Sequence, residues 1–446
     1  MNTLKINTRQ TILVGMAFLS ICAFWQMYNS VIPLILTNTF HMNETWSGVI
    51  MAADNVLALF LLPLFGGISD GCKSRLGRRK PFILVGTLAA VALMLLLPLL
   101  DDSYFTEATA WKLVCFVAAL GGLLVAMGSY RSPAVALMPD VTTKPLRSRG
   151  NAIINLMGAV GGILYLVIAS VLYSSARTEG KEHVSYLLLF AIVAGIMLLA
   201  LFVLMTMVDE PALAGKAREY EEAHPEDNLA VSDGKGGERL PSEVKKSLAF
   251  LLISIAFWFV GYNAVETWFT TYANRMWEMS LGGASLCLTI ATLGAIVTYI
   301  PSGALAEKLG RKKTILMGVA LLGGCFFVLF LYTCFFHSFH PGLYVLFVLV
   351  GMAWALINVN SLPMVVEMCR DSDIGKFTGY YYTFSMAAQT VTPIVAGALL
   401  NRVGYITLFP YAAIAVGAAW ITMQFVRHGD SHSAGKRGLE AFEDMD

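Results

Sequence analysis

The chain has 446 residues, a formal net charge of +1, 57% hydrophobic residues and 14% charged residues. Soluble domains carry about a quarter charged residues, so this composition excludes a soluble protein with a surface of ordinary polarity. The net charge argues neither for nor against nucleic acid, and no nucleic-acid partner is predicted. The apolar residues fall in blocks of about 20, each long enough to cross the hydrocarbon core of a bilayer as a helix.

Twelve such blocks follow one another along the chain, which predicts an all-α integral membrane protein. The predicted spans are 11–36, 46–69, 81–100, 111–137, 150–173, 184–208, 247–273, 283–306, 313–336, 342–366, 377–401 and 404–427. They divide into an N-terminal six-helix bundle (1–208) and a C-terminal one (247–428), followed by a polar tail (429–446). The polar stretch 209–246 is predicted to be a linker with a short amphipathic helix near 211–223.

The lysines and arginines predict the orientation. If the N-terminus is cytoplasmic, the cytoplasmic segments carry 25 of the 31 basic residues and the external loops carry five, while Arg131 lies within span four. This strong positive-inside bias places both termini and the linker on the cytoplasmic side of the plasma (inner) membrane.

The two halves repeat a short pattern between their second and third spans. Asp70 precedes Gly77-Arg78-Arg79-Lys80, and Glu307 precedes Gly310-Arg311-Lys312-Lys313. A weaker pair supports the repeat, because Asp140 precedes Arg149 by nine residues as Glu367 precedes Lys376. Two six-helix halves related by pseudo-symmetry are typical of a carrier whose binding site lies between the repeats.

The loop Ser69-Asp70-Gly71-Cys72-Lys73-Ser74-Arg75-Leu76-Gly77-Arg78-Arg79-Lys80-Pro81-Phe82-Ile83 resembles the signature loop of the major facilitator superfamily. Its longer pattern is similar to that of the sucrose–proton symporters and their glycoside-transporting relatives. The resemblance implies the major facilitator fold and transport of a sugar or glycoside. It also implies that the loop carboxylates and cations latch an inner gate; the gating candidates are Asp70, Arg78, Arg79, Asp140, Arg149, Glu307, Arg311, Glu367 and Lys376.

Two departures from related patterns bear on ion coupling. Plant sucrose carriers place a proton-carrying aspartate in span four, and the position that corresponds to it here is Leu124. Sodium-coupled melibiose-type carriers place paired aspartates before a proline in span two, where this chain has Leu62 and Ala58. The second departure favours protons over sodium, while the first requires a different proton site.

Three charged residues are predicted deep in the spans: Asp54, Arg131 and Glu266. Ionisable groups at bilayer depth are costly and mark functional sites. A carboxylate in a poorly hydrated cavity binds a proton more readily, and a nearby guanidinium opposes this. We therefore predict proton coupling through Asp54 or Glu266, tuned by Arg131. The alternatives are a structural Asp54–Arg131 ion pair and a Glu266 side chain that reaches to the membrane surface.

Amides and aromatic rings recur at helical spacing around these charges. Sugars need this mixture, because amides bind hydroxyl groups and rings cover the apolar face of a pyranose. Helix–helix hydrogen bonding and ordinary packing would use the same residue types. The predicted substrate-binding residues are Trp25, Tyr28, Asn29, Asn263, Trp354, Asn358, Asn360, Tyr381 and Gln389.

The favoured function is proton-coupled symport of a sugar or glycoside by alternating access. A drug–proton antiporter of the same fold and a membrane nutrient sensor without transport remain alternatives. The sequence contains no HExxH or Walker motif, and no enzyme, catalytic residue, cofactor or metal site is predicted. The expected partners are the solute, protons and the lipid bilayer, and the expected state is a monomer.

Overall fold

The computed structural model describes residues 7–143, 147–178, 180–223, 241–368 and 374–429, and within them the helices account for the extended regular secondary structure. Twelve helical segments are long and apolar enough to cross a membrane, which confirms the predicted fold class. The helices are α1 (Thr8–Leu34), α2 (Glu44–Asp70), α3 (Lys80–Thr106), α4 (Ala110–Val141), α5 (Arg147–Leu172), α6 (Ser175–Thr178), α7 (Leu187–Met207), α8 (Glu210–Ala223), α9 (Ser242–Trp277), α10 (Leu281–Leu309), α11 (Arg311–Phe335), α12 (Tyr344–Val366), α13 (Ile374–Arg402) and α14 (Leu408–Gln424).

Several helices extend beyond the apolar blocks that predicted them. A π-helical turn, Ile35–Thr39, continues α1, and α3 runs six residues past the predicted end of its span. Helix α9 begins at Ser242, inside the stretch predicted as linker, and α8 occupies Glu210–Ala223. The extra turns are polar, because backbone hydrogen bonding continues into the interfacial region after the apolar pattern has ended.

The helices form two compact units. The first contains Met1–Met42 and Ala53–Ala230, and the second contains Asn43–Ala52 and Val231–Asp446. The first turns of α2 belong to the second unit, where the Tyr405 hydroxyl donates a hydrogen bond of 2.6 Å to Glu44 Oε1.

Four helix pairs of the first unit pack like four pairs of the second. Helix α1 packs on α5 and α7 as α9 packs on α13 and α14. Helix α3 packs on α4 and α7 as α11 packs on α12 and α14. For these four pairs the sequence repeat is also a repeat of helix packing, as duplication of a helical unit produces.

Each unit has an aromatic core and an apolar outer surface. In the first unit the buried Tyr130 hydroxyl donates to the Ala17 carbonyl at 2.9 Å, and in the second the Tyr272 hydroxyl donates to Thr333 at 2.7 Å. Large apolar side chains such as Phe60 and Phe335 remain exposed on the helices, as a lipid-facing surface requires.

Candidate functional site

Helices α1, α2 and α4 enclose a cleft within the first unit. Its lining residues are Trp25, Asp54, Ala58, Leu61, Leu62, Leu124, Gly128 and Arg131. Three polar or charged side chains from three different helices therefore converge on one otherwise apolar cleft. Three of the lining residues, Leu124, Gly128 and Arg131, share one face of α4 at helical spacing.

Asp54 and Arg131 both line this cleft. Within the described part of the chain they interact electrostatically without a direct ion pair. The Asp54 carboxylate instead accepts a hydrogen bond of 2.9 Å from the Asn55 amide. The Arg131 guanidinium lies over the Trp25 ring, 5.7 Å from its centroid, a cation–π contact.

Two polar atoms beside this cleft lack partners. The Trp25 Nε1 and the Tyr28 hydroxyl are buried, and neither has a hydrogen-bond partner in the described structure. The two rings meet edge to face, with centroids 5.4 Å apart. Buried donors without partners are costly in a folded protein, and they are the groups that a polar ligand can satisfy. Asn29, predicted with them, is half-buried on the same helix.

In the second unit an aromatic cluster lies near Glu266. Tyr262 stacks on Trp354 with ring centroids 3.7 Å apart, and Phe259 meets Trp354 edge to face. The half-buried Glu266 lies within electrostatic range of Tyr262. This places Glu266 beside stacked rings, not at the end of its helix.

The predicted amides of the second unit have different environments. Asn358 is exposed and adjoins Tyr299, whereas Gln389 is half-buried. The buried Asn263 donates to the Phe259 carbonyl of its own helix at 2.8 Å. Asn360 is buried and donates to Ser302 and to the Leu356 carbonyl, which is how a residue joins two packed helices. The Tyr381 hydroxyl forms a hydrogen bond of 3.1 Å with Ser361.

The loop between α2 and α3 is organised around one buried arginine. Arg79 donates to Asp70 Oδ1 at 2.5 Å, to Asp140 Oδ2 at 2.7 Å and to the Ser69 hydroxyl. Asp70 therefore pairs with Arg79, the residue just before α3. Helix dipoles disfavour a carboxylate at the C-terminus of α2, and the guanidinium compensates for this.

Glu210, at the start of α8, was not predicted as a site residue. Its carboxylate accepts hydrogen bonds from the backbone N–H groups of Arg78, Arg79 and Lys80, at 2.6, 2.9 and 3.0 Å. It thereby caps the N-terminus of α3, where a negative charge is favoured. Gly77 has a φ of +109°, and a Cβ there would lie 2.3 Å from Glu210 Oε2. Only the acidic character of the linker could have indicated this contact.

The second unit repeats the ionic arrangement with a shift of one residue. Arg311 forms an ion pair with Glu367, as Arg79 does with Asp140. Lys312 donates to the Gln424 and Val426 carbonyls at the end of α14, and Lys80 donates to the carbonyls of Met205 and Val208 at the end of α7.

Four other gating candidates complete the set. Arg78 is half-buried and contributes its backbone to the Glu210 cap. The side chains of Arg149, Glu307 and Lys376 lie outside the described part of the chain, so their gating roles stay predictions.

The sequence pattern of the Major Facilitator Superfamily matches residues 14–280 and 276–442. The chain therefore belongs to the major facilitator superfamily, and it is a multi-pass membrane transporter. This membership agrees with the expectation that it is not an enzyme.

Individual relatives match shorter regions. Sucrose transport protein SUC4 of Arabidopsis thaliana is 32% identical over 129 residues, which cover 27% of this chain and 25% of the relative. Proton-associated sugar transporter A of Mus musculus is 35% identical over 121 residues, which cover 26% of this chain and 16% of the relative. The matches thus span a quarter or less of these curated relatives.

A solved structure matches over the full length. The inward open xylose transporter XylE from E. coli is 17% identical and covers 98% of each chain, with a TM-score of 0.66. This likeness shows the shared fold.

Proposed function

We propose that this protein is a proton-coupled symporter of a sugar or glycoside. The observation that carries the proposal is the cleft that brings Asp54, Arg131 and Trp25 together from three helices. The short matches to sucrose and proton-associated sugar transporters support the same substrate class.

Asp54 carries the proton in this proposal, and Arg131 tunes its affinity. With the guanidinium close, the carboxylate stays ionised; with the guanidinium displaced, desolvation favours protonation. Leu124, at the position of the plant proton site, lines the same cleft as Asp54. In this proposal the proton-binding carboxylate lies on α2 instead of α4 and lines the same cleft as Leu124. Coupling follows if the distance to Arg131 differs between the two states of the carrier.

Rings and amides supply the proposed substrate contacts. Trp25 and Tyr28 offer unsatisfied donors, and the stacked pair Tyr262 and Trp354 offers a flat apolar surface. Asn29, Asn263, Asn358, Tyr381 and Gln389 remain candidates. Asn360 is the weakest of the predicted set, because its amide already bonds Ser302 and Leu356.

The ionic set around Arg79 is the proposed latch. It ties the end of α2 to α4 through Asp70 and Asp140, and the Arg311–Glu367 pair is its counterpart. We infer that these contacts form and break as the carrier alternates between its two states.

Uptake by proteoliposomes under an imposed pH gradient, with and without sodium, tests the coupling. Asp54→Asn should abolish accumulation against the solute gradient and retain solute exchange, since only proton binding is lost. The control is Glu107→Gln, which changes a carboxylate that is 75% exposed. Uphill accumulation by Asp54→Asn would exclude Asp54 as the coupling site, and accumulation that follows sodium would overturn the choice of ion.

The same preparation separates the alternatives. Glu266→Gln should weaken solute binding if this carboxylate accepts a sugar hydroxyl, and should instead abolish coupling if it carries the proton. A drug–proton antiporter would move amphipathic cations outward in exchange for protons. A nutrient sensor would show a thermal shift with a saccharide and no flux. A screen of mono- and disaccharides by thermal shift identifies the solute to use.

A further inference from the structure

A second group of ionisable residues lies in the first unit, at the end of α3 opposite the Arg79 loop. Asp101 and Asp102 occupy the last turns of this helix, and His183 lies in the segment that precedes α7. One ligand atom from each of the three residues falls within 4.8 Å of the other two. The transport proposal uses none of them.

The distances suit a shared cation. His183 Nε2 lies 2.8 Å from Asp102 Oδ1 and 3.8 Å from Asp101 Oδ2. Ligand atoms around a tetrahedral zinc ion, with bonds of about 2.0–2.2 Å, lie roughly 3–4 Å apart. Small side-chain adjustments would therefore bring all three atoms to one ion, with a fourth position left for water.

Asp101 provides an independent indication of a ligand. It is 0% exposed, and among the described residues neither of its carboxylate oxygens has a partner in hydrogen-bonding geometry, although the Thr39 side chain interacts with it. A buried carboxylate without a donor is costly unless a proton or a cation neutralises it. Its Oδ2 points toward His183, so the unsatisfied charge is directed into the cluster.

The other two ligand atoms are held in position by neighbours. The His183 ring stacks on Phe105, with centroids 4.4 Å apart and an interplanar angle of 13°. The Ser185 hydroxyl donates to Asp102 Oδ2 at 2.6 Å, which leaves Oδ1 facing the histidine. Such outer contacts orient the ligands of metal sites.

We propose that Asp101, Asp102 and His183 form a binding site for a zinc-like divalent cation. A nitrogen and two oxygens match the preference of Zn²⁺, whereas Mg²⁺ and Ca²⁺ prefer oxygen alone. A bound ion would fix the end of α3 to the segment before α7. The sequence predicted no metal site, because His183 stands 81 residues after Asp102 and resembles no metal-binding motif.

Zinc binding to the purified full-length chain in detergent, with any polyhistidine tag removed, tests the proposal. Titration calorimetry should give one Zn²⁺ per chain, and a tenfold excess of Ca²⁺ should not displace it. His183→Ala and Asp101→Asn should each weaken binding at least tenfold, whereas His337→Ala, at another loop histidine, should not change it. Absence of one-to-one binding, displacement by Ca²⁺, or full binding by either site variant would overturn the proposal.

A footprint on the unmodified chain avoids dependence on the folding of variants. Diethyl pyrocarbonate modifies accessible histidines, and mass spectrometry of peptides reports each site. Zn²⁺ should protect His183 and leave His337 reactive. Stoichiometric zinc binding without protection of His183 would place the ion elsewhere and contradict the assignment. Neither measurement depends on sugar transport, so the two proposals fail independently.

Discussion

The carboxylate of Glu210 caps the N-terminus of α3 from a distant part of the sequence. Three backbone N–H groups at the start of the helix point at one buried side chain, which is 2% exposed. A charged acceptor at this position satisfies donors that have no partner within the helix. The first residue of the linker helix therefore helps to fold the transmembrane bundle.

Glu210→Ala should lower the stability of the chain substantially. Hydrogen bonds to charged groups contribute about 1.5–3 kcal/mol each, so the loss should reach at least ~3 kcal/mol. The measurement is the apparent melting temperature in detergent. Glu219→Ala, at an exposed position of the same helix, is the matched control. Equal melting temperatures for the two variants would show that the cap contributes nothing.

At the scale of helices, the residues that correspond in space between the two units differ from those that correspond in a sequence alignment. When the two repeated loops are aligned on Gly77 and Gly310, Lys80 corresponds to Lys313. In space Lys80 corresponds to Lys312, because both amino groups bind carbonyls at the end of the sixth span of their unit. The direction in which a helix begins determines which of its first basic side chains reaches the end of the neighbouring helix.

Lys312→Met should therefore destabilise the chain more than Lys313→Met, which alters an exposed side chain. The expected difference is at least about 1 kcal/mol, since two charge-assisted hydrogen bonds are lost and solvent at this half-buried position reduces the contribution of each. Thermal unfolding of both variants in one detergent measures it. A larger effect of Lys313→Met would show that Lys313, and not Lys312, is the counterpart of Lys80.

The proposed latch makes its own prediction about α2 and α4. Asp140→Asn should increase labelling of an Ala58→Cys probe in the cleft, in a background without the native cysteines. Asp70→Asn should have a smaller effect, because the Asp70 side chain is 60% exposed and that of Asp140 is 32% exposed. Glu107→Gln serves as the control. Unchanged labelling in Asp140→Asn would exclude the latch.

For the whole molecule, the charge bias predicts that the loop of Cys72 is cytoplasmic and the loop of Ser338 external. Each cysteine, native or introduced as Ser338→Cys, is placed alone in a background without other cysteines. In right-side-out vesicles an impermeant maleimide should label Ser338→Cys at once and Cys72 only after permeabilisation. The reverse order would invert the proposed orientation.

The sequence by itself determined the class of the protein. Twelve apolar blocks predict twelve spans because each helix satisfies its own backbone hydrogen bonds in the bilayer, whatever its neighbours are. The repeated loop predicted the two halves, and the scarcity of charges within the spans identified Asp54, Arg131 and Glu266. These are local properties, which a linear pattern records.

The tertiary structure decided which of these residues meet. Trp25, Asp54 and Arg131 belong to three helices, and only packing places them around one cleft. Packing likewise pairs Asp70 with Arg79 and places the Asn360 amide in a hydrogen bond with Ser302. It also brings Glu210 to the start of α3. Side-chain contacts depend on the rotation and offset of each helix against its neighbours, which nearly uniform apolar spans do not encode in any local pattern.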